Sequence, residues 1–160
     1  ELHAWVVDSL REHVLTQMSR VYGADLALQL PVQGKREEST SRRRLEFREL
    51  FFAYYRASAS SREDGDGGDN DGDAAIVRDR AQASLPLHRD GSLLSFNILL
   101  NSAAAFDGGG TYFELLDTTY RGQQGDAVIH SGRLRHAGAE VTRGERYVLV
   151  GFVDVIDESS

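Results

Sequence analysis

Apolar residues recur at helical spacing near the start of the chain. Six of them, from Val6 to Val21, lie mostly three or four positions apart, with charged and polar residues between them. This is the period of one face of an α-helix, and Gly23 follows as a typical stop signal. The pattern predicts an amphipathic helix over residues 3–22 that packs on a sheet and supports the core. The six residues are Val6, Val7, Leu10, Val14, Met18 and Val21.

The pattern changes to that of strands further along the chain. Residues 45–56 are rich in phenylalanine and tyrosine, which favour strands. From Ala83 onward, short apolar runs alternate with glycine-containing turns at residues 108–110, 121–122 and 143–144. Short strands at such spacing are typical of a β-sandwich or jelly roll, so we predict a mainly β fold with a flanking α-helix. The predicted strands in this part cover residues 85–88, 93–100, 111–116, 126–130, 137–141 and 147–155.

Two polar segments interrupt these elements. Residues 31–44 mix basic, acidic and hydroxyl side chains, which predicts a solvated loop and leaves a basic docking patch as the less favoured alternative. Residues 58–74 contain a glycine- and aspartate-rich tract that buries too little apolar surface to become ordered, so we expect a flexible insertion. A calcium-binding loop is the alternative for this tract. Such a loop needs glycine and glutamate where this chain has Ala74 and Arg80, which disfavours calcium.

The composition is that of one globular domain. The chain has 160 residues, of which 41% are hydrophobic, and no apolar run approaches the roughly 20 residues that cross a membrane. We therefore expect a soluble single domain over residues 1–160, with its core in residues 45–57 and 83–156. Because the chain has no cysteine, disulfides, thiolate metal sites and cysteine nucleophiles are excluded.

The first residues and the net charge of the chain bear on its origin and on its possible binding partners. The chain begins Glu-Leu-His-Ala-Trp, which predicts an excised piece of a longer protein without a targeting segment and leaves compartment and oligomeric state open. The formal net charge is −7, but five aspartates between Asp64 and Asp73 leave −2 for all other residues. A nearly neutral folded part argues against a nucleic-acid-binding face.

Three residues have the types and spacing of metal ligands. His88 and Asp90 are two positions apart, so on an extended strand both side chains point to the same face. His136 can supply a third ligand, and two histidines with one carboxylate are the ligand set of non-haem Fe(II) oxygenases. Arg146 begins a strand-like run ten residues later, where its charge can hold the far carboxylate of a bound 2-oxo acid. Taken alone, His88 and Asp90 are better explained as a hydrogen-bonded histidine and a turn residue.

The surroundings of these residues resemble a known family. Residues 87–154 are similar to the catalytic domain of the Fe(II)/2-oxoglutarate-dependent dioxygenases, in particular the procollagen lysyl hydroxylases and their prolyl hydroxylase relatives. The order and spacing of the matching segments agree throughout this stretch, which is a little under half of the chain. The matching segments are Leu-His88-Arg-Asp90, Ser-Phe-Asn97-Ile-Leu-Leu-Asn101, Phe-Asp107-Gly-Gly-Gly-Thr-Tyr-Phe113, Gly125-Asp-Ala-Val-Ile-His-Ser-Gly-Arg-Leu-Arg-His136 and Thr142-Arg-Gly-Glu-Arg-Tyr-Val-Leu-Val-Gly-Phe-Val-Asp154.

The resemblance implies a fold and a metal. The fold is a double-stranded β-helix, the cupin-like jelly roll, with the metal in its mouth. In this family pattern, His88, Asp90 and His136 are the catalytic residues that bind Fe(II). Iron(II) fits better than zinc, because 2-oxoglutarate chelates through two oxygens and O2 needs a further open position, which a tetrahedral zinc site does not offer. A requirement for ascorbate is left open.

The resemblance also implies which residues bind the cosubstrate 2-oxoglutarate. Arg146 matches the residue that pairs with its distal carboxylate. Lysine is frequent at this place in the prolyl branch, so the arginine favours the lysyl branch. Asn97 matches an asparagine close to the cosubstrate, and capping of a strand end is its alternative role. Tyr55 matches a tyrosine whose hydroxyl reaches the cosubstrate, with Tyr54 as its competitor.

Other positions carry less chemistry in the family pattern. His130 matches a further histidine of the family, for which we expect a structural role or a role in supporting the metal ligands. The glycines at residues 108–110 are expected to form a tight turn at the mouth without chemistry. Prolyl hydroxylases commonly have tyrosine three residues before the first ligand, and Leu85 in that place weakens the prolyl assignment.

The function implied by the resemblance is hydroxylation of a peptidyl lysine or proline, with succinate and CO2 formed from 2-oxoglutarate and O2. A peptide or protein substrate is therefore expected, with no nucleic acid and no membrane partner. A hydroxylase of a free amino acid or other small molecule and a non-catalytic jelly-roll binding module are the alternatives. A nucleic-acid demethylase of the same superfamily is disfavoured, because no further basic residue follows Arg146.

Overall fold

The computed structural model describes residues 2–29, 43–57 and 82–157. Most of the predicted loop at residues 31–44 lies outside the described residues, while Arg43 and Arg44 begin a strand. The predicted insertion at residues 58–74, including the tract compared with a calcium loop, also lies outside them. Within the described ranges, every helix is too short or too polar to span a bilayer.

The helical segment is longer than predicted. Helix α1, Leu2–Leu10, runs into a single π-helical turn, Arg11–Leu15, and then into helix α2, Thr16–Gln29. The predicted end at residue 22 is therefore wrong. Alanines and leucines continue the helix beyond Gly23, and a glycine inside a helix costs only about 1 kcal/mol relative to alanine.

The buried face of this segment packs on a sheet, as its apolar spacing predicts. Leu10, Val14, Leu15 and Met18 form one cluster with sheet residues that include Phe96 and Val153. Met18, Phe96 and Val153 are completely buried. Burial of each such side chain contributes about 1.5–3 kcal/mol, so this contact is the main attachment of the helix.

The strands form two antiparallel sheets. In the larger sheet the order is β1-β9-β3-β7, with the short β4 also paired to β9, and in the smaller sheet it is β2-β8-β5-β6. The chain passes repeatedly from one sheet to the other, and this order is that of a double-stranded β-helix, so the predicted fold is confirmed. The strands are β1 Arg43–Arg56, β2 Leu85–His88, β3 Leu94–Leu99, β4 Phe106–Gly108, β5 Thr111–Phe113, β6 Thr118–Tyr120, β7 Ala127–Ser131, β8 His136–Gly138 and β9 Val141–Asp157.

The turn predicted at residues 143–144 is wrong, because β9 continues through it. Gly144 has a φ of +73°, and a β carbon there would collide with the carbonyl oxygen of Ala105. At this glycine, β9 changes its partner from β4, which it pairs with up to Gly144, to β1, which it pairs with from Glu145 onward. The strand predicted at residues 137–141 is correspondingly divided between the end of β8 and the first residue of β9.

A Gly144→Ala substitution is expected to destabilise the fold by roughly 3 kcal/mol or more, because it combines left-handed strain with a backbone collision. Gly125→Ala is the matched control, since Gly125 has a φ of +87° but open space where the methyl group of an alanine would lie. Its cost should be only about 1–2 kcal/mol of left-handed strain. Urea unfolding of both variants measures the difference. Equal losses would show that the collision at Gly144 is relieved by a shift of β4.

Candidate active site

The three candidate metal ligands converge at the cavity between the sheets. His88 ends β2, Asp90 follows it, and His136 begins β8 directly opposite His88. Their candidate ligand atoms all lie within 4.8 Å of one another. Nε2 of His88 is 3.4 Å from Oδ1 of Asp90, and Nε2 of His136 is 3.6 Å from Oδ2. The structure thus brings together the three residues that the sequence proposed.

Backbone carbonyls orient both imidazole rings. Nδ1 of His88 lies 2.7 Å from the carbonyl oxygen of Pro86, and Nδ1 of His136 lies 3.0 Å from that of Leu134. Because a carbonyl oxygen only accepts, each Nδ1 carries its hydrogen and donates it. In the neutral ring this leaves the lone pair on Nε2, which faces Asp90. Metal-binding histidines in proteins are held in this way.

The geometry of the three groups fits a divalent transition metal. The side chain of Asp90 is only 5% exposed, and its oxygens face two imidazole nitrogens. Their separations are longer than a good hydrogen bond. Two ligand atoms that are each about 2.1 Å from one ion lie roughly 3.0–3.4 Å apart, which is close to these separations. Acceptor atoms that face one another in this way favour a cation among them, and two histidines with a carboxylate suit iron.

His130 supports this group without belonging to it. Its ring on β7 lies 4.4 Å from the ring of His136 and meets Phe113 edge-on at 5.2 Å, centroid to centroid. Nδ1 of His130 donates to the carbonyl oxygen of Ser131 at 3.1 Å, and burial lowers the pKa of this histidine. The neutral ring of His130 therefore packs against the ring of His136, in agreement with the structural role that we expected for His130.

The candidate cosubstrate residues lie on the larger sheet. Arg146 on β9 is directly opposite Tyr55 on β1, and its guanidinium carbon lies 5.4 Å from the centre of the tyrosine ring. Both residues are 7% exposed, and burial lowers the pKa of Arg146 and raises that of Tyr55. Among the described residues, no carboxylate pairs with Arg146. A buried guanidinium without a carboxylate partner favours an anionic ligand.

Asn97 completes this wall of the cavity. It lies inside β3, next to β9, so the alternative of a strand-end cap is wrong. Its Oδ1 accepts a hydrogen bond from the hydroxyl of Thr111 on the smaller sheet at 3.4 Å. Asn97, Thr111, Tyr55 and Arg146 line the same cavity of about 340 Å³ as the three candidate metal ligands.

Strand alternation separates the two competing tyrosines. Tyr55 points toward Arg146, whereas Tyr54 stacks on Tyr147 with ring centroids 5.1 Å apart. The hydroxyl of Tyr54 donates to Glu145 at 2.9 Å. Both tyrosines line the cavity, but only Tyr55 lies against the buried Arg146, so the geometry favours Tyr55 as the candidate cosubstrate residue.

Several cavity residues were not singled out from the sequence. Val148, Val150 and Phe152 follow Arg146 at alternate positions of β9, and all three line the cavity. Side chains alternate between the two faces of a strand, so residues two, four and six positions after Arg146 lie on the same face as Arg146. The sequence would have identified them once the side chain of Arg146 was predicted to point into the cavity. Thr111 is also buried in the wall, but only its position after a glycine run marks it.

Comparison with known proteins confirms the resemblance to the procollagen lysyl hydroxylases over about half of the chain. The chain is 40% identical over 85 residues to the multifunctional procollagen lysine hydroxylase and glycosyltransferase LH3 of Rattus norvegicus. It is 40% identical over 77 residues to the procollagen-lysine,2-oxoglutarate 5-dioxygenase 1 of Homo sapiens. These matches cover 49% and 46% of this chain but only 12% and 11% of the relatives, so the chain spans about a tenth of their length. No family model matches the chain.

Two solved structures align with this chain at low similarity. A viral collagen prolyl hydroxylase from Paramecium bursaria chlorella virus 1, solved with 2-oxoglutarate, aligns with 17% identity and a TM-score of 0.40, covering 92% of this chain and 74% of that one. An RmlC-like cupin protein from Desulfovibrio desulfuricans aligns with 12% identity and a TM-score of 0.36, covering 77% of this chain and 92% of that one.

Proposed function

We propose that this chain is an Fe(II)- and 2-oxoglutarate-dependent dioxygenase that hydroxylates a lysyl or prolyl side chain of a peptide. Succinate and CO2 are the co-products. The observation that carries the proposal is the presence, in one cavity, of a two-histidine, one-carboxylate group and a buried arginine that no carboxylate of the described residues pairs with. The similarity to the procollagen lysyl hydroxylases supports the same reaction class.

The metal would be held by His88, Asp90 and His136. When bound, Fe(II) supplies the redox chemistry that couples oxidative decarboxylation of 2-oxoglutarate to hydroxylation of a C–H bond. These three side chains would supply three ligands and would leave further positions on the ion for exogenous ligands. The backbone hydrogen bonds to both Nδ1 atoms keep the rings in place, so the site is organised before the metal arrives.

The cosubstrate would be held by the larger sheet. Arg146 pairs with the distal carboxylate of 2-oxoglutarate through two parallel N–H donors, and the burial of this arginine strengthens the pair. The hydroxyl of Tyr55 and the amide of Asn97 are the nearby neutral groups for the same carboxylate or the carbon chain. Together they orient the oxo acid so that its other end points toward the metal group.

A substrate larger than a free amino acid is supported by the surface around the cavity. Leu115 and Leu116 are 80% and 68% exposed on a 3-10 turn between β5 and β6. Glu114 in this turn is bound to Arg135, next to His136 in the sequence, by an ion pair of 2.9 Å. Neighbouring exposed apolar side chains on a turn linked to the candidate site favour contact with a polypeptide.

The test is turnover of 2-oxoglutarate with Fe(II) and a panel of peptides that contain lysine or proline, with free lysine and free proline as the small-molecule arm. We expect succinate formation and a peptide mass gain of one oxygen atom, both abolished by a chelator. Mass gain on the free amino acids alone would establish the alternative substrate class. Binding of Fe(II) and 2-oxoglutarate without any succinate would instead establish a non-catalytic binding module.

A further inference from the structure

Four arginines surround the loops that carry the candidate metal ligands. Arg89 lies between two of these ligands in the sequence, and Arg133 and Arg135 lie in the loop between β7 and β8, just before the third. Arg48 on β1 reaches the same place, since its Nη1 donates to the carbonyl oxygen of Gly91 at 2.6 Å. The two loops next to the candidate metal ligands therefore carry or contact basic side chains from three parts of the chain.

Hydrogen bonds fix two of these arginines beside each other. The backbone N–H of Gly132 donates to the carbonyl oxygen of Leu93 at 3.1 Å, which joins the two loops. Nε of Arg89 donates to the carbonyl oxygen of Arg133 at 3.0 Å. Arg89 and Arg133 are both exposed, so their charges face solvent next to the loop that holds Asp90.

The charges of the two remaining arginines are compensated locally. The arginine on β1 lies 3.7 Å from Asp154, and the one nearest His136 pairs with Glu114 at 2.9 Å. Within the described part of the chain, Arg89 and Arg133 have no carboxylate at ion-pair distance. A metal ion in the site would add further positive charge. This part of the surface is thus cationic, although the whole chain carries a formal charge of −7.

We propose that Arg89 and Arg133 select peptides with acidic residues next to the hydroxylated residue. The inference rests on the proposed function and adds the substrate class to it. An extended peptide advances about 3.3 Å per residue, so residues one to three positions from the hydroxylated one are within reach of the two joined loops that carry Arg89 and Arg133. Glutamate or aspartate at these positions is attracted by the two guanidinium groups, and lysine or arginine is repelled.

The test compares three peptides of equal length, each with a central lysine or proline flanked on both sides by glutamate, glutamine or arginine. The glutamate peptide should have a KM about three- to tenfold lower than the glutamine peptide, and the arginine peptide should have the highest KM. Raising the salt concentration from about 0.05 to about 0.5 M should reduce this difference. Fluorescence anisotropy of the labelled peptides on the Fe(II)- and 2-oxoglutarate-loaded protein without O2 gives the same preference independently of turnover.

The variants decide which residues cause the preference. In Arg89→Gln/Arg133→Gln, the KM ratio between the glutamate and glutamine peptides should fall to about one. Arg11→Gln/Arg20→Gln removes the same charge from exposed positions on the helical segment and should keep the ratio. Equal affinity of the parent protein for all three peptides, or an unchanged ratio in the first variant, would overturn the inference. Absence of 2-oxoglutarate turnover with every peptide would overturn the proposed function instead, while the anisotropy arm would still decide the charge preference.

Discussion

A His136→Ala variant is expected to lose iron-dependent turnover completely and to bind Fe(II) more than about a hundredfold more weakly. Removal of a supporting group around a metal ligand typically costs ten- to a hundredfold in affinity, and removal of the ligand itself costs more. The variant retains only two of the three protein ligands, His88 and Asp90, and two ligands hold the ion less tightly than three. Calorimetric titration with Fe(II) in the absence of O2 measures the binding, and succinate formation measures the turnover.

The control for this variant is His13→Ala. His13 is an exposed histidine on the helical segment, far from the cavity in the sequence, and its removal should change neither iron binding nor turnover. Circular dichroism of the metal-free His136→Ala protein should show that the strands persist, because β8 pairs with β2 and β5 through backbone atoms. Near-normal iron affinity together with near-normal activity would disprove the ligand group.

An Arg146→Lys variant is expected to bind 2-oxoglutarate about ten- to a hundredfold more weakly while it keeps its affinity for iron. Lysine retains the charge but lacks the planar pair of N–H donors, and a lost charge-assisted hydrogen bond costs roughly 1.5–3 kcal/mol. The KM for 2-oxoglutarate and calorimetric titration of the iron-loaded protein without O2 both measure this effect.

The matched control lies on the same strand. Arg143 is exposed and holds Asp107 through two hydrogen bonds of 2.6 and 3.0 Å. Arg143→Lys should leave the KM for 2-oxoglutarate unchanged, because this arginine does not line the cavity. If Arg146→Lys also had an unchanged KM, the distal carboxylate would have to be bound elsewhere.

The strands around the site could be predicted because their signals are local. Residues 85–88 are an apolar run bounded by polar residues, and the structure has a strand over the same residues. The two-residue spacing of His88 and Asp90 was sufficient to predict that both side chains point to the same face of the extended chain. The pairing that brings His136 opposite His88 joins parts of the chain that are far apart in sequence. That long-range contact was expected only from the resemblance.

The errors arose where tertiary contacts override local preference. Gly23 and Gly144 were both interpreted as ends of elements, yet a helix and a strand pass through them. At Gly144 the reason is the close approach of Ala105, which no local pattern shows. The group of exposed arginines near the candidate metal ligands could not be predicted from the net charge either, because the net charge of the whole chain is negative.

The two halves of the proposed site belong to different sheets. His88 and His136 lie on the smaller sheet, and Arg146 and Asn97 lie on the larger one. An oxo acid that binds the metal at one end and Arg146 at the other therefore bridges the gap between the sheets. Under the proposed function, the length of the acid's carbon chain has to match the separation of the two sheets. Oxo acids one carbon shorter or longer are therefore expected to bind more weakly, because an acid of the wrong length makes only one of the two contacts well.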